Sequence, residues 1–378
     1  MQTQICDMLG IEFPILAFSH CRDVIAAVTK AGGMGVLGVT AHTPEQLEID
    51  CAWIENEIGP NRSYGIDVII PQKYTGREEG GLSKDKLAAM IPAEHKAFLN
   101  DLLARYDVPP LPEGEIAPTG EGSWSHKGAQ PLVDIALSRP IRLIVNALGA
   151  PPPELVNAAH EANVHVAALV GARQHAERQK AAGVDIIVAQ GYEAGGHTGE
   201  IATMVLIPEV VDAMGDTPVL AAGGIGRGRQ MAAAMALGAQ GVWTGSVWLT
   251  TEEAETHPAV VEKFLAASSS DTLRSRASTG KPARQLRTAW TDEWEDPAHP
   301  QPLGMPLHGM LIAEAQRRIA RAAKPGTTTG AERLINYFVG QIVGSMNSVK
   351  PARQVVFDMV EEYIDTVTKL AKGLQIEA

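Results

Sequence analysis

Short apolar runs alternating with amphipathic stretches constrain this chain more than any other feature. The runs are 13-FPILAFS-19, 35-GVLG-38, 64-YGIDVII-70, 141-IRLIVNAL-148, 165-HVAALV-170, 185-DIIVAQG-191, 218-PVLAAGG-224 and 240-QGVWTGS-246. Each is continuous in its apolar character, the pattern of a parallel strand buried on both faces. Helical patterns fall between them, over about 22–31, 43–57, 152–162, 173–182, 207–214 and 228–237. In 228-GRQMAAAMALGA-239 the alanines and methionines favour helix, and the late glycine supplies a stop. The phrases 181-AAGVDIIVAQG-191 and 236-ALGAQGVWTGS-246 share one form: a helix end, a glycine, a short link and a strand ending in glycine. The phrase 30-KAGGMGVLG-38 is a third copy. Eight strands joined in this way predict an α/β chain closed as a (β/α)8 barrel, not an open sheet.

Two segments interrupt the rhythm. The first, about 72–135, follows the third strand, has a helical centre at 93-AEHKAFLNDLLARYDV-108 and then turns rich in proline and glycine. Connections this long in a compact domain usually carry function. The second begins near 270, where 308–323 and 351–372 read as amphipathic helices and 291–304 as a polar, proline-rich link. The expected organisation is a barrel over 1–270, carrying the insertion, with a helical extension over 271–378 packed on it.

Composition narrows the partners. The chain has 378 residues, 45% of them hydrophobic, and a formal net charge of −12. That balance argues against nucleic acid, which is met by a basic patch. No stretch reaches the ~18 uncharged apolar residues of a membrane span, and the N-terminus lacks the basic start and apolar core of a signal peptide. Cys6, Cys21 and Cys51 are few and not spaced as metal ligands. The expectation is a cytoplasmic protein without a metal centre.

In such a barrel the chemistry sits on the loops after the strands. The seventh run leads into 222-AGGIGRGRQ-230 and the eighth into 244-TGSVWLT-250. Gly223, Gly224, Gly245 and Ser246 therefore form a candidate phosphate cradle, since glycine lets a phosphate approach the backbone N–H groups. The spacing is not that of a dinucleotide fingerprint. The sixth run leads into 191-GYEAGGHTGE-200, where four glycines surround His197. An imidazole with an ordinary pKa near ~6.5 suits proton abstraction beside an activating group. Gly195 and Gly196 would let backbone amides approach a cofactor or a developing anion. Glu193 reads as a capping or solvated carboxylate, and Cys21, just after the first strand, as a buried inert thiol.

The phrases 13-FPIL-16, 31-AGGMGVLG-38, 188-VAQGYEAGGHTG-199, 221-AAGGI-225, 236-ALGAQGVWTGS-246 and 280-GKPAR-284 together resemble the nitronate monooxygenase (2-nitropropane dioxygenase) family. FMN-dependent enoyl reductases of fatty-acid synthesis are related barrels. The resemblance covers most of the chain outside 72–135. It implies a TIM barrel with non-covalent FMN. The phosphate would lie on Gly223 and Gly224 and on Thr244, Gly245 and Ser246. Ala17, Phe18 and Ser19 would touch the flavin, and Gln190 its ring or ribityl region. His197 would be the catalytic base or the electrostatic partner of the substrate anion. The stretch from Gln341 to Ser345 resembles the phrase that closes over the flavin. There are two departures. The family usually reads Ala-Pro-Met where this chain has Ala17-Phe18-Ser19-His20. It usually reads Gly-x-Asn where this chain has Gly65-Ile66-Asp67, so Asp67 would meet the cofactor with a carboxylate in place of an amide. Both alter the pocket and, with the insertion, point to a substrate bulkier than a simple nitroalkane.

The expected function is FMN-dependent oxidation of a nitronate-type anion by O2 without nicotinamide. One alternative is NAD(P)H-driven reduction of an enone, enoyl thioester or quinone, or oxidation of an acyl-CoA-type compound. Another, of a different class, is a non-catalytic barrel that binds a phosphometabolite. The partner is a small molecule in each case, and both monomer and homodimer fit the sequence.

Overall fold

Every apolar run contains a strand. The computed structural model describes residues 1–70, 83–115 and 126–374. Its strands are β1 (Ile15–Ser19), β2 (Met34–Gly38), β3 (Gly65–Val68), β4 (Leu143–Asn146), β5 (His165–Val170), β6 (Ile186–Gln190), β7 (Gly196–His197), β8 (Val219–Ala222), β9 (Gly241–Thr244), β10 (Thr272–Ser275) and β11 (Ala283–Leu286). Eight of them close into a parallel barrel in the order β1-β2-β3-β4-β5-β6-β8-β9, with Ala17 of β1 opposite Thr244 of β9. The chain is a (β/α)8 TIM barrel, as expected. Alternate side chains on each strand explain the continuous apolar runs. Leu16, Val36, Val145, Val188 and Leu220 pack inside the barrel. Their neighbours Ile15, Leu37, Ile144, Ile187 and Val219 pack outward against the helices. Toward the strand ends the inward positions change to Phe18, Asp67, Gln190 and Trp243, which leave the packed interior and meet the space above it.

Helices follow the strands, and local chemistry sets their starts. Thr43 accepts a hydrogen bond from the N–H of Gln46 at 3.2 Å and precedes Pro44, so the helix Pro44–Ile58 begins with both a cap and a preset φ. The helix Thr203–Met214 begins ahead of its apolar pattern. Its cap is distant in sequence: Glu193 Oε2 accepts from the N–H of Thr203 at 2.9 Å and from its hydroxyl at 2.8 Å. The capping reading of Glu193 is the one the structure supports. The C-terminal helix Ala352–Gly373 lies against Gly228–Ala236 and adds Val356 and Met359 to the outer core. A Cβ at Gly228 would stand 2.1 Å from the Met359 carbonyl oxygen, so only glycine permits this approach.

A second core covers the barrel mouth. Phe98 and Leu102 of the helix Ala93–Arg105 meet Phe264, Trp290, Trp294, Ile312 and Ile319 from beyond β9. The long insertion and the C-terminal third thus share one interior. Residues 71–82 and 116–125 of that insertion lie outside the described residues. Its last stretch belongs to the barrel: in His126–Leu137, Ala129, Leu132, Val133 and Ala136 join the outer core. The region after 270 holds an antiparallel hairpin, β10 with β11, where only helices were expected. Four-residue strands carrying arginine and glutamine leave too little apolar pattern to be read. Among the described residues, no helix is long and apolar enough to cross a membrane.

His308 sits in this second core, 0% exposed, with Nε2 2.9 Å from the Ala277 carbonyl oxygen and its ring edge-on to Trp294 at 4.6 Å. Burial lowers its pKa to about 4. The folded protein therefore holds it neutral, while the unfolded chain protonates it below ~6.5. Its contribution to stability is present above that value and is lost as pH falls toward about 4. Unfolding free energies from urea titrations at pH 7 and pH 5 are expected to differ by on the order of 2 kcal/mol more in the wild type than in His308→Gln. Equal pH dependence in the two proteins would remove His308 from the acid limb.

Candidate active site

A cavity of about 740 Å3 opens above the C-terminal ends of the barrel strands. Its floor is the last inward layer of the barrel: Phe18, Asp67, Gln190, Ala222 and Trp243. Phe18 and Trp243 stack with ring centres 6.0 Å apart. Gly223, Gly224, Gly245 and Ser246 line one side, joined by Ser19 and by Gly195, Gly196 and His197. The second core supplies the roof through Val260, Trp290 and Ile319, and Tyr337 and Phe338 line the cavity beside them. The size is that of a pocket for a ligand of cofactor dimensions.

The glycine loops have the geometry of an anion cradle. Gly223 has φ +105°, and a Cβ there would lie 2.8 Å from the Thr203 hydroxyl. Only glycine satisfies both limits. The N–H groups of Gly224 and Gly245 have no hydrogen-bond partner among the described residues. In contrast, the N–H groups of Gly226 and Arg227 are already taken by Gln230 Oε1, at 2.9 and 3.1 Å. The open donors are therefore those of the two loops, not those of the helix start beyond them. A phosphate fits this donor set.

His197 is held from below by a segment the barrel does not supply. β7 pairs with β11, placing Gly196 opposite Arg284 and His197 opposite Ala283. Arg284, 2% exposed, donates through Nε to the Tyr192 carbonyl at 3.1 Å and through Nη1 to the Thr272 hydroxyl at 3.0 Å. Its guanidinium lies 4.4 Å from the centre of the Tyr192 ring. Arg274 donates to the Thr198 carbonyl at 3.2 Å. The loop is thus fixed on both sides of the histidine. Above it, the N–H of Gln341 donates to the Glu193 carbonyl at 2.9 Å, and the N–H of Gly340 donates to the Ser246 hydroxyl at 2.8 Å. These bonds join the loops after β6 and β9 to the 340–341 segment.

The histidine itself is half-buried, with Nδ1 3.2 Å from the Pro282 carbonyl oxygen. A carbonyl only accepts, so the proton of the neutral ring sits on Nδ1 and Nε2 keeps its lone pair. Burial lowers the pKa below its ordinary value, the Pro282 carbonyl opposes the shift and the Lys281 charge adds to it. A neutral imidazole with an open Nε2 can accept a proton from a carbon acid.

Four of the expected contacts do not line the cavity. The Ala17 side chain turns outward into the helix-covered core. The Thr244 hydroxyl donates to the Leu16 carbonyl at 3.0 Å and accepts from Trp248 Nε1 at 3.0 Å, so it is spent within the wall. Gln341 and Ser345 flank the turn over the mouth, but Ile342 is its residue that reaches the cavity. Trp243, Tyr337 and Phe338 went unread. Trp243 had a signal, its inward parity in 240-QGVWTGS-246; Tyr337 and Phe338 had none, because the roof is assembled from distant segments. One grouping also escaped the spacing argument against metal ligands. Ligand atoms of Cys21, Asp23 and Glu255 lie within 4.8 Å of one another. The Cys21 thiol donates to the Glu253 carbonyl at 3.0 Å and burial raises its pKa, which keeps it a protonated thiol and a poor metal ligand.

Known proteins share this arrangement. A family model described as nitronate monooxygenase matches residues 2–362. A putative monooxygenase of Mycobacterium tuberculosis is 60% identical over 372 residues, covering 98% of each chain. Among solved structures, a nitroalkane oxidase from Streptomyces ansochromogenes superposes with a TM-score of 0.79 at 25% identity, over 97% of this chain and 99% of that one. FabK from Thermotoga maritima does so with a TM-score of 0.71 at 26% identity, over 98% and 99%.

Proposed function

Since this chain belongs to the nitronate monooxygenase family and is an oxidoreductase, we propose that it binds FMN, converts a nitroalkane-type carbon acid to its nitronate anion and oxidises that anion with dioxygen. The observation that carries this reading is the pinned His197 loop facing a cavity with an open glycine cradle at its side. FMN, when bound, supplies a two-electron acceptor that dioxygen regenerates. The backbone N–H groups of Gly224 and Gly245 would hold the phosphate, within the loops that carry Gly223 and Ser246. Phe18 and Gln190 of the floor, with Ser19, Gly195 and Gly196 at the side, would meet the ring system. Nε2 of His197 takes the proton from the carbon next to the activating group. The second core keeps bulk water from the exchange, which strengthens each polar contact inside.

The test is anaerobic. Purified protein reconstituted with FMN is mixed either with an alkyl nitronate or with NAD(P)H, and flavin absorbance is followed. Bleaching by the nitronate with none by NAD(P)H is the expected result. Bleaching by NAD(P)H alone would make the protein a reductase of an enone-type or quinone substrate. Failure to bind FMN at all would overturn the cofactor reading.

A further inference from the structure

We propose that Asp67 acts as a neutral carboxylic acid that donates a hydrogen bond to the bound cofactor, so that FMN binding is coupled to proton uptake at this residue. The inference rests on the FMN reading above. Asp67 is 3% exposed, points inward from β3 and lines the cavity floor. Its register partners are Gly38 on β2 and Val145 on β4, and neither brings a charge. Oδ1 has no hydrogen-bond partner among the described residues. The interaction that favours its ionised form is with the backbone at Ala147, and burial outweighs it, raising the pKa well above the ordinary carboxyl value.

The titratable groups on the surrounding elements do not supply a counter-charge. His20, at the end of β1, has Nδ1 2.7 Å from the Gly38 carbonyl, and burial holds its pKa below the ordinary value. His42, beyond β2, is turned to Asp50 at 2.9 Å. Cys21 is a protonated thiol bonded to the Glu253 carbonyl. Past β6, His197 is neutral by burial, and at the end of β4 the Asn146 amide is occupied by the Ile70 N–H and the Gly149 carbonyl. A carboxylate so placed loses its hydration and gains no cation, so the protonated form is favoured.

The chemistry then follows from donor capacity. An amide, through its NH2, and a protonated carboxyl, through its O–H, can each donate as well as accept, whereas a carboxylate only accepts. The flavin ring edge presents carbonyl and imine acceptors. The neutral acid can therefore do what an amide does at this position, and the ionised acid cannot. A ligand that expels water from the cavity pushes the pKa up further, so binding above the pKa of the free protein brings in a proton.

The experiment titrates FMN into the cofactor-free full-length protein, read by flavin fluorescence, from pH 6 to pH 10. In the wild type the affinity is expected to fall about tenfold per pH unit on the alkaline side, as one linked proton requires. In Asp67→Asn the affinity is expected to stay flat there. The FMN phosphate is common to both proteins and cancels in the comparison. Parallel profiles would overturn the proposal while leaving FMN binding intact; no FMN binding by the wild type would overturn the cofactor reading and this proposal with it. An independent arm uses the wild type alone: infrared difference spectra at pH 7 are expected to show a protonated-carboxyl band that moves on FMN binding. A carboxylate band in its place would refute the neutral acid even if the variant did not fold.

Discussion

Replacing His197 with asparagine is expected to lower kcat/KM by roughly 10²–10⁴-fold while leaving the flavin bound, the range lost when a positioned general base is removed. Asparagine retains a donor for the Pro282 carbonyl, so the β7–β11 pairing has no reason to break. The pH profile separates the two roles open to this residue. A base must be neutral, so kcat/KM for a neutral carbon acid rises with pH through the histidine pKa and then levels. A cationic partner of an anion must be protonated, so the profile would fall through the same pKa. The lowered pKa and the Nδ1 contact to Pro282 favour the first. The expected result is a rising limb with its break below ~6.5, absent in the variant. A falling limb would assign His197 to charge stabilisation, and unchanged turnover in the variant would remove it from the chemistry.

Trp294→Ala is expected to destabilise the protein by about 3–5 kcal/mol, the usual cost of emptying a large buried aromatic site. Trp294 is 0% exposed and stands edge-on to Phe98 at 4.9 Å and to His308 at 4.6 Å. Phe98 comes from the insertion and His308 from the C-terminal third, so one side chain joins the two halves of the roof. Chemical denaturation is expected to show the loss, and KM for substrate to rise more than kcat falls, because the roof lies away from His197. Trp294→Phe is expected to recover most of the stability. A loss below about 1 kcal/mol in Trp294→Ala would mean that the two halves hold together without it.

The barrel was legible because its strands are buried on both faces and advertise themselves as unbroken apolar runs. The glycine loops were legible for a related reason: Gly223 answers a backbone requirement, and such requirements leave a residue type behind. The roof was not legible. Val260, Trp290 and Ile319 are ordinary core residues one by one, and only the tertiary packing brings them over one mouth. β7 escaped notice because it is two residues long and its partner lies more than eighty residues away. Ala17 shows the limit of reasoning by strand end. Its neighbour Phe18 faces the cavity, and the alternation of a strand turns Ala17 the other way.

The pairing of β7 with β11 also sets a schedule for biosynthesis. Domains form as the chain leaves the ribosome, N-terminal segments first. By the time β9 emerges, the eight barrel strands and the glycine loops are all present, yet the seat of His197 is not, because Ala283 and Arg284 have still to be made. All eight barrel strands are thus made before the His197 loop has its seat. The histidine loop is therefore completed only after Ala283 and Arg284 have been made, well behind the last barrel strand.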